Sequence, residues 1–436
     1  MNKALRQTFW TIGYTLSALA AIALAATVGF VNGAALLISG PPAGLGATLT
    51  HAPAPSFDPR KPTVAIVLGN TRTVSSDFLL PYAMFAESGA YNVYAVAETR
   101  ELRTLTGGVD VLPHYSFAEL AALLQRSPDM IVVPAIRDTE YPQNAPVLDW
   151  LREHAQGQTV VFSWCTGAEV LAASGLIDGK TVTTHWGDID RLERTYPAAR
   201  WQRGERYIDA GMLITTGGIT SGVDATLHVI ARRNGPAVAN NVARALRYPA
   251  SPFAASTHMA QYATEAADGI LLLNLAFNWP KPQAGVWLYN GVSEADLGAI
   301  DDVYQMSSAY QTATVAAGES VISQHGLQIV PRWHAHTLPA MDRLLLPGGN
   351  GAEQAAASLP PELGGVPITR LQNDHAPAYV FTTALRDLAA SHDLPSATFA
   401  AKRLEVRGPC DNERAGPQDK SLGGGWVPMP FKLMRI

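Results

Sequence analysis

Short apolar strands alternate with segments of helical spacing from residue 63 onward, and this alternation constrains the fold more than any other feature of the chain. Thr63–Leu68 has the sequence TVAIVL, and Met130–Pro134 and Thr159–Trp164 are similar runs without a polar interruption. Such strands are buried on both faces, as in parallel sheets. Helical spacing over Phe78–Ser88 and Val147–Ala155 separates them. The sequence therefore predicts an α/β fold, with a parallel sheet covered by helices on both faces.

The composition of the 436 residues excludes several classes of protein. Hydrophobic residues make up 47% and charged residues 16%, so the chain is too apolar for wholesale disorder. The net charge of -5 comes without any basic block, which argues against a nucleic-acid partner. The two cysteines, Cys165 and Cys410, are too few for a disulfide framework or a Cys-rich zinc module.

The N-terminal region carries no charge from Thr8 to Ile38, a run of 31 residues. A helix that crosses a bilayer needs about 20 apolar residues, so this run is long enough to span with some tilt. A cleaved signal peptide is the first alternative, although its apolar region is only about 7–15 residues long. A buried soluble helix is the second, but such a helix rarely lacks a polar face over this length. We predict an uncleaved anchor at residues 1–39 with the lipid bilayer as its partner.

The distribution of basic residues predicts the orientation of this anchor. Lys3 and Arg6 precede the apolar run, and the next Lys or Arg is Arg60. Positive charge is retained on the cytoplasmic side, so the protein is expected in the cytoplasmic membrane as a single-pass protein with its globular part outside the cytoplasm. Residues 40–61 are rich in Pro, Gly and Ala and are expected to form an extended linker.

A later part of the chain repeats the early pattern. Val109–Pro113 (VDVLP) resembles Leu327–Pro331 (LQIVP), and each follows an acid that opens a helix, Asp77 or Asp296. Internal similarity of this kind indicates a duplicated unit. The chain then divides into a first α/β domain, a connection, a second and degenerate domain, and a Gly- and Pro-rich tail, at residues 62–250, 251–283, 284–408 and 409–436.

The sharpest chemical feature is Ser163–Ala168, with the sequence SWCTGA, where a buried strand ends and a helix begins. A nucleophile elbow has this layout, because a tight turn exposes the nucleophile above the carboxyl edge of the sheet. The N-terminus of the following helix would lower the pKa of the Cys165 thiol and hold an oxyanion. The alternative is a structural cysteine buried in the core.

Two further side chains are placed by the pattern at the same edge of the sheet. His185 follows the next strand along the chain and is a candidate base or orienting group, unless it is a structural histidine. Asp77 follows the first strand, where it is either a general acid–base or a helix N-cap.

Metal and cofactor signals are weak. His334 and His336 have the H-x-H spacing of a metal pair, but no third ligand is evident, and packing or surface roles are the expectation. Gly348–Gly351 follows a strand and has the Gly content of an anion cradle, without the motif of a P-loop or of a dinucleotide site. We therefore expect neither a metal nor a cofactor.

Several of these segments together resemble the ThiJ/PfpI superfamily, within the class I glutamine amidotransferase-like fold. The likeness is to the module of isonitrile hydratases and of the front of AraC-type regulators, over about residues 62–249. The segments that carry it are Asp77–Pro81, Trp164–Ala168, Gly175–Gly179, Thr183–Trp186 and Thr215–Asp224.

The resemblance implies a flavodoxin-like three-layer sandwich with Cys165 as nucleophile and Asp77 as its acidic partner. Thr166 and Gly167 would supply oxyanion-hole or substrate contacts, and His185 matches a histidine often found near the cysteine. Superfamily members commonly dimerise, so a homodimer is a further expectation.

Two departures from the family pattern stand out. The first domain has Pro134, Ala135 and Ile136 where many relatives have Pro-Gly-Gly, and Ala135 therefore belongs to an altered oxyanion loop. The second domain has no cysteine at an elbow, and its nearest counterpart by a loose alignment is near Thr382. The two basic helix-turn-helix units of an AraC-type regulator are not found in the sequence.

Three functions are compatible with these features. The first is a cysteine-dependent hydratase or amide hydrolase acting on a small molecule, in which Cys165 attacks as a thiolate and Asp77 moves the proton. The second is a non-catalytic module that senses or binds a small ligand. The third is a redox-sensing thiol at Cys165.

Overall fold

The alternation of strands and helices is confirmed in the computed structural model, which describes residues 3–38, 49–248, 257–372 and 378–406. The strands of the first half are β1 (Thr63–Val67), β2 (Asn92–Ala97), β3 (Arg103–Thr104), β4 (Asp110–Leu112), β5 (Tyr115–Ser116), β6 (Met130–Val133), β7 (Val160–Ser163), β8 (Thr181–Val182), β9 (Arg200–Trp201), β10 (Tyr207–Asp209) and β11 (Leu213–Thr216). Those of the second half are β12 (Gln283–Trp287), β13 (Gln311–Ala316), β14 (Val321–Ile322), β15 (Gln328–Val330), β16 (Trp333–His334), β17 (Arg343–Leu346) and β18 (Ile368–Arg370).

The α-helices lie between these strands, before them and after them. In chain order they are α1 (Lys3–Ile38), α2 (Ser75–Glu87), α3 (Phe117–Leu124), α4 (Ala145–His154), α5 (Gly167–Ala173), α6 (Ile189–Thr195), α7 (Ile219–Asn234), α8 (Pro236–Ala245), α9 (Ile270–Phe277), α10 (Glu294–Ser307), α11 (Ala352–Ala357), α12 (Val380–Ser391) and α13 (Leu394–Arg403).

The first half is built on a seven-stranded sheet in the order β10-β11-β7-β6-β1-β2-β5, parallel except for β10. Side chains of β1 alternate between its two faces, as a strand requires. Val64 and Ile66 pack with the apolar side chains of α2 and α7, whereas Ala65 and Val67 pack with those of α3, α4 and α5. The apolar run predicted as a buried strand is therefore covered by helices on both faces.

The second half has a five-stranded sheet with a closely corresponding order. Its order β18-β17-β12-β13-β16 corresponds to β7-β6-β1-β2-β5 of the first sheet, and all the neighbouring pairs in both series are parallel. Helix α12 packs on α10, as α7 packs on α2. The segment from α5 to β11 has no described counterpart after β18.

The two halves join across a shared face. Helices α2 and α10 pack against each other, and Gly298 allows the approach, because a Cβ there would lie 3.2 Å from Cα of Ser76. Strand β4 pairs antiparallel with β15, with Val111 opposite Ile329. The two segments that look alike in the sequence are therefore in direct contact.

The N-terminal helix α1 contains a stretch, Tyr14–Asn32, that is long and apolar enough to cross a membrane, a property that signal sequences share. Its Gly29 packs on α9, where a Cβ would lie 1.9 Å from the carbonyl oxygen of Ala276. The described part of the expected linker lies against the first sheet and β15, since Ala52 N–H donates to Gln328 Oε1 at 2.7 Å. The tail with Cys410 lies outside the described residues.

One expectation about the sheet is wrong. The strand before His185, β8, was expected beside β7 in the main sheet, but β8 pairs with β9 in a separate two-stranded sheet. The neighbour of β7 on that side is β11. A polar contact still ties β8 to the main sheet, because the N–H of Thr183 donates to Thr215 Oγ1 at 2.9 Å.

Candidate active site

Cys165 lies in a strained turn between β7 and α5. Its φ of 51° is in the left-handed region, which costs a non-glycine residue free energy and is frequent at functional sites. Two threonines hold the turn: Cys165 N–H donates to Thr216 Oγ1 at 3.1 Å, and Thr184 Oγ1 donates to the Cys165 carbonyl at 3.0 Å. Cys165 is partly exposed. The turn has the geometry of a nucleophile elbow.

The close approach of α5 to the sheet explains the glycine after Thr166. A Cβ on Gly167 would lie 2.0 Å from the carbonyl oxygen of Val133, at the end of the neighbouring strand β6. Any side chain at this position would therefore push α5, and the elbow with it, away from the sheet.

Asp77 faces the elbow from the first turn of α2 and is fully buried. The N-cap alternative is wrong, because the N-cap residue of α2 is Val74 and the cap carries no side-chain hydrogen bond. Oδ2 of Asp77 accepts the N–H of Ala135 at 3.2 Å. Its other oxygen, Oδ1, has no hydrogen-bond partner among the described residues. The carboxyl is thus held by Ala135, and its side chain also interacts with the thiol of Cys165.

Burial sets the protonation of this pair. It raises the pKa of Asp77 well above its usual value, and the nearby carboxyl of Asp302 raises it further. Burial also raises the pKa of the Cys165 thiol, with further contributions from Asp77 and Asp188. The expected lowering of the thiol pKa by the helix N-terminus is opposed here, since α5 has only 7 residues and carboxyls surround the sulfur.

The three backbone N–H groups predicted as oxyanion donors, those of Thr166, Gly167 and Ala135, have different hydrogen-bond partners. The N–H of Thr166 is directed at the sulfur of Cys165. The N–H of Gly167 donates to the Trp164 carbonyl at 2.7 Å, and that of Ala135 is engaged by Asp77. In this arrangement one of the three N–H groups, that of Thr166, is directed at the sulfur.

His185 is close in the chain to the elbow but its ring is engaged elsewhere. Nε2 contacts the Arg403 carbonyl at 2.9 Å, and Nδ1 accepts the N–H of Gly187 at 3.1 Å. Oδ2 of Asp188 lies 3.5 Å from Nδ1. These contacts place His185 as a group that fixes the chain around the site and do not bring it together with the thiol.

The second half contributes two buried acids that sequence reasoning missed. Oδ2 of Asp302, on α10, accepts the N–H of Ser76 at 3.0 Å, next to Asp77 in the chain. Glu405, after α13, accepts a hydrogen bond from Ser221 Oγ at 2.5 Å and packs on Gly217 and Gly218 beside the elbow. No local motif marks these residues, because only the packing of the two halves brings them to the site.

A cavity of about 390 Å³ lies next to the elbow at the same edge of the sheet. Thr184, whose hydroxyl bonds the Cys165 carbonyl, forms part of its wall, together with Trp186, Arg203 and Tyr262. Cys165 itself is not among the lining residues.

The histidine pair His334 and His336 lies in the second half. The rings of His334 and His336 stack with centroids 5.6 Å apart. Within the described residues, no group of three His, Cys, Asp or Glu side chains is placed to hold a metal ion.

Helix α12, which contains Thr382, corresponds to α7 by its packing, so the loose alignment of Thr382 with the elbow is wrong.

The first half of the chain is similar in sequence to known proteins. Residues 62–232 match the DJ-1/PfpI family. The chain is 33% identical over 179 residues to the isonitrile hydratase of Pseudomonas putida, covering 41% of this chain and 75% of that protein. It is 35% identical over 96 residues to the HTH-type transcriptional regulator CdhR of Pseudomonas aeruginosa, covering 22% of this chain and 28% of the regulator.

Solved structures give matches of the same kind. A THiJ/PfpI family protein from Pseudomonas syringae is matched with a TM-score of 0.39 and 23% identity, over 47% of this chain and 86% of that one. An AraC family transcriptional regulator from Pseudomonas putida is matched with a TM-score of 0.37 and 16% identity, over 42% of this chain and 99% of that one. Residues 62–232 match the family, and the chain covers 75% of a relative to which it is 33% identical. The chain therefore belongs to the DJ-1/PfpI family.

Proposed function

We propose that the first half is a cysteine-dependent hydratase or amide hydrolase for small molecules, with isonitriles as the first substrate class. The observation that carries the proposal is Cys165 at a positive φ, with its thiol in contact with the carboxyl of a fully buried Asp77. A buried carboxyl without a partner on one oxygen is costly unless a proton or a substrate satisfies it. The identity to an isonitrile hydratase supports the choice of substrate.

The proposed reaction needs only the thiol, the carboxyl and water. Sulfur attacks the isonitrile carbon, Asp77 takes the thiol proton and delivers it to that carbon, and a thioimidate forms on Cys165. Water then adds to the thioimidate carbon, the C–S bond breaks, and an N-substituted formamide leaves while the thiol regains its proton. In its ionised form, Asp77 is a stronger base for the first step because its pKa is raised.

The thiol and its neighbours would act as follows. The N–H of Thr166 stabilises negative charge on the sulfur, and Asp77 stays oriented by the N–H of Ala135. The strained turn at Cys165 keeps the sulfur above the carboxyl edge of the sheet. His185 positions the loop around the site through its bonds to Gly187 and Arg403.

The test is the formation of formamide from isopropyl isonitrile, followed by NMR with the full-length protein. Cys165→Ser should reduce turnover at least about a thousandfold, and Asp77→Asn about a hundredfold. Ser163→Ala is the matched control, since it removes a buried hydroxyl two residues from the nucleophile and should retain turnover. Turnover retained by Cys165→Ser would refute the proposal.

A non-catalytic ligand-binding role is the second candidate, favoured by one observation. The N–H groups of Gly167 and Ala135 are engaged within the protein, which leaves less stabilisation for an oxyanion. Binding of the isonitrile without its consumption would support this role. A redox role is less favoured, because reactive sensor thiols have a lowered pKa and that of Cys165 is raised.

We further propose that α1 anchors the protein in the cytoplasmic membrane, with the globular part outside the cytoplasm. Support comes from the apolar stretch Tyr14–Asn32 and from Lys3 and Arg6 before it. After washing of membranes with sodium carbonate, the full-length protein should stay in the membrane pellet. Release into the supernatant, or a mature N-terminus beyond residue 32, would contradict the anchor.

A further inference from the structure

The second half contains the same backbone arrangement around an acid as the candidate active site. Oδ2 of Asp296, on α10, accepts the N–H of Gly348 at 2.8 Å, as Oδ2 of Asp77 accepts that of Ala135. The N–H of Ser293 donates to the Gly348 carbonyl at 2.9 Å, and that of Val74 donates to the Ala135 carbonyl at the same distance. The second half thus has the same acid, and the same hydrogen bonds in the loop after β17, as the first half has in the loop after β6.

The position of the nucleophile is taken by Gln372. The N–H of Leu371 donates to the Leu346 carbonyl at 3.2 Å, as that of Trp164 donates to the Val133 carbonyl at 3.0 Å. Gln372 follows Leu371 in the second half, as Cys165 follows Trp164 in the first. Oε1 of Gln372 accepts a hydrogen bond from Arg247, and the amide group bonds the carboxyl of Asp296. An amide cannot attack a substrate, so this position serves for hydrogen bonding.

Each half contributes one charged residue to the site of the other half. The two residues have opposite charges. Arg247 follows α8 with a φ of 52°, and Glu405 follows α13 with a φ of 55°. The backbone bonds before them also correspond, from Leu246 to Val242 and from Leu404 to Ala400. Glu405 reaches the site of Cys165, whereas Arg247 lies in that of Gln372. The second site therefore carries a cation where the first carries an acid.

These groups line a cavity of about 240 Å³. Besides Asp296, Gln372 and Arg247, Arg370 lines it, and Glu353 is exposed in its wall. Gly348 keeps the space open, because a Cβ there would lie 2.4 Å from Asp296 Oδ2 and 2.8 Å from Gln372 Cγ. Burial raises the pKa of Asp296, which weakens its repulsion of an anion.

We propose that this cavity is a second, non-covalent site that binds a small carboxylate between Arg247 and Arg370. A guanidinium matches the planar geometry of a carboxylate and binds it with two parallel hydrogen bonds. Among the described residues, neither arginine forms an ion pair within 4 Å of a carboxylate oxygen. The site is independent of the chemistry proposed for Cys165.

The experiment is isothermal titration of the full-length protein, in detergent micelles, with succinate as the probe. We expect saturable binding of one succinate per chain. Gln372→Glu is nearly isosteric and places a carboxylate beside Arg247, so it should weaken succinate binding at least about tenfold. Arg370→Gln should have an effect of similar size. Succinamide, which has the same shape without the charge, should bind at least about tenfold more weakly than succinate.

Two controls separate this site from the rest of the protein. Arg386→Gln removes an exposed arginine of α12 that does not line the cavity and should bind succinate as the wild type does. Cys165→Ser should also retain binding, whereas it abolishes the proposed turnover. Absence of saturable succinate binding, or equal affinity in Gln372→Glu and the wild type, would overturn the proposal and leave the function of Cys165 untouched.

Discussion

The backbone N–H of Ser76 donates a hydrogen bond of 3.0 Å to Oδ2 of Asp302, and this bond crosses from the first half of the chain to the second. Asp302 is fully buried, and its carboxyl raises the pKa of Asp77, the residue that follows Ser76. The second half therefore takes part in the electrostatics of the Cys165 site.

The pH dependence of stability should show the cost of burying Asp302. Its pKa rises from 3.8 to about 6 in the folded protein. Between these values the folded state holds a proton that the unfolded chain has released, so the free energy of unfolding falls as the pH rises through this window. A shift of about two units corresponds to ~3 kcal/mol.

Urea unfolding at pH 4.5 and pH 7.5, followed by tryptophan fluorescence, measures this effect. Asp77 and Asp301 have raised pKa values for the same reason and add to the fall. In Asp302→Asn the difference between the two pH values should shrink by ~2 kcal/mol, because pH 4.5 already lies inside the window. Asp178→Asn, an exposed control, should behave like the wild type. An unchanged difference in Asp302→Asn would show that this carboxyl does not titrate in the window.

The raised pKa of the Cys165 thiol predicts slow alkylation at neutral pH. The thiolate is the reactive form, so the rate with iodoacetamide should be low at pH 7 and keep rising above pH 9. Peptide mass spectrometry resolves Cys165 from Cys410 in the same sample. A rate that is already at its plateau at pH 7 would mean that the helix N-terminus outweighs burial and the surrounding carboxyls.

Glu405 should contribute to this effect from the opposite side of the site. Its carboxyl raises the pKa of the thiol, so Glu405→Gln should increase the alkylation rate of Cys165 at pH 8 about threefold. Glu362→Gln, at an exposed position in the same half, is the matched control. If the two variants react at equal rates, Glu405 does not influence the thiol.

Gly167→Ala tests the close contact beneath the elbow. The new Cβ would lie 2.0 Å from the Val133 carbonyl oxygen, which requires α5 to move and should lower the free energy of unfolding by about 2–3 kcal/mol. The control is Gly365→Ala, where a Cβ would meet no atom within 4 Å. Chemical denaturation of both variants gives the comparison. Equal stability would mean that the contact relaxes without cost.

Local sequence patterns were sufficient to predict much of the fold of the first half. The apolar run at Thr63–Leu68 predicts a buried parallel strand, and β1 is buried at every position. The small residues around Cys165 predict a tight turn between strand and helix, because only such residues allow α5 to approach β6. These features depend on neighbours in the chain, whose geometry is set by sterics and side-chain burial.

Contacts between distant residues were beyond the reach of pattern reasoning. The strand before His185 carries the right residues for the main sheet, yet strand pairing places β11 beside β7 instead. Asp77 has the sequence context of an N-cap, yet the fold directs its carboxyl to Ala135 and Cys165. Each alternative is locally acceptable, and the packing of the whole chain selects between them.

The sequence by itself determined the α/β class, the apolar N-terminal helix and the strand–cysteine–glycine–helix turn, since each follows from residues close together in the chain. The tertiary structure alone decided that Asp302 and Glu405 lie close enough to influence Asp77 and Cys165, and that Arg247 donates a hydrogen bond to Gln372. The physical reason is that these groups meet only where the two halves pack, and their charges and hydrogen bonds act over the few ångströms that this packing leaves between them.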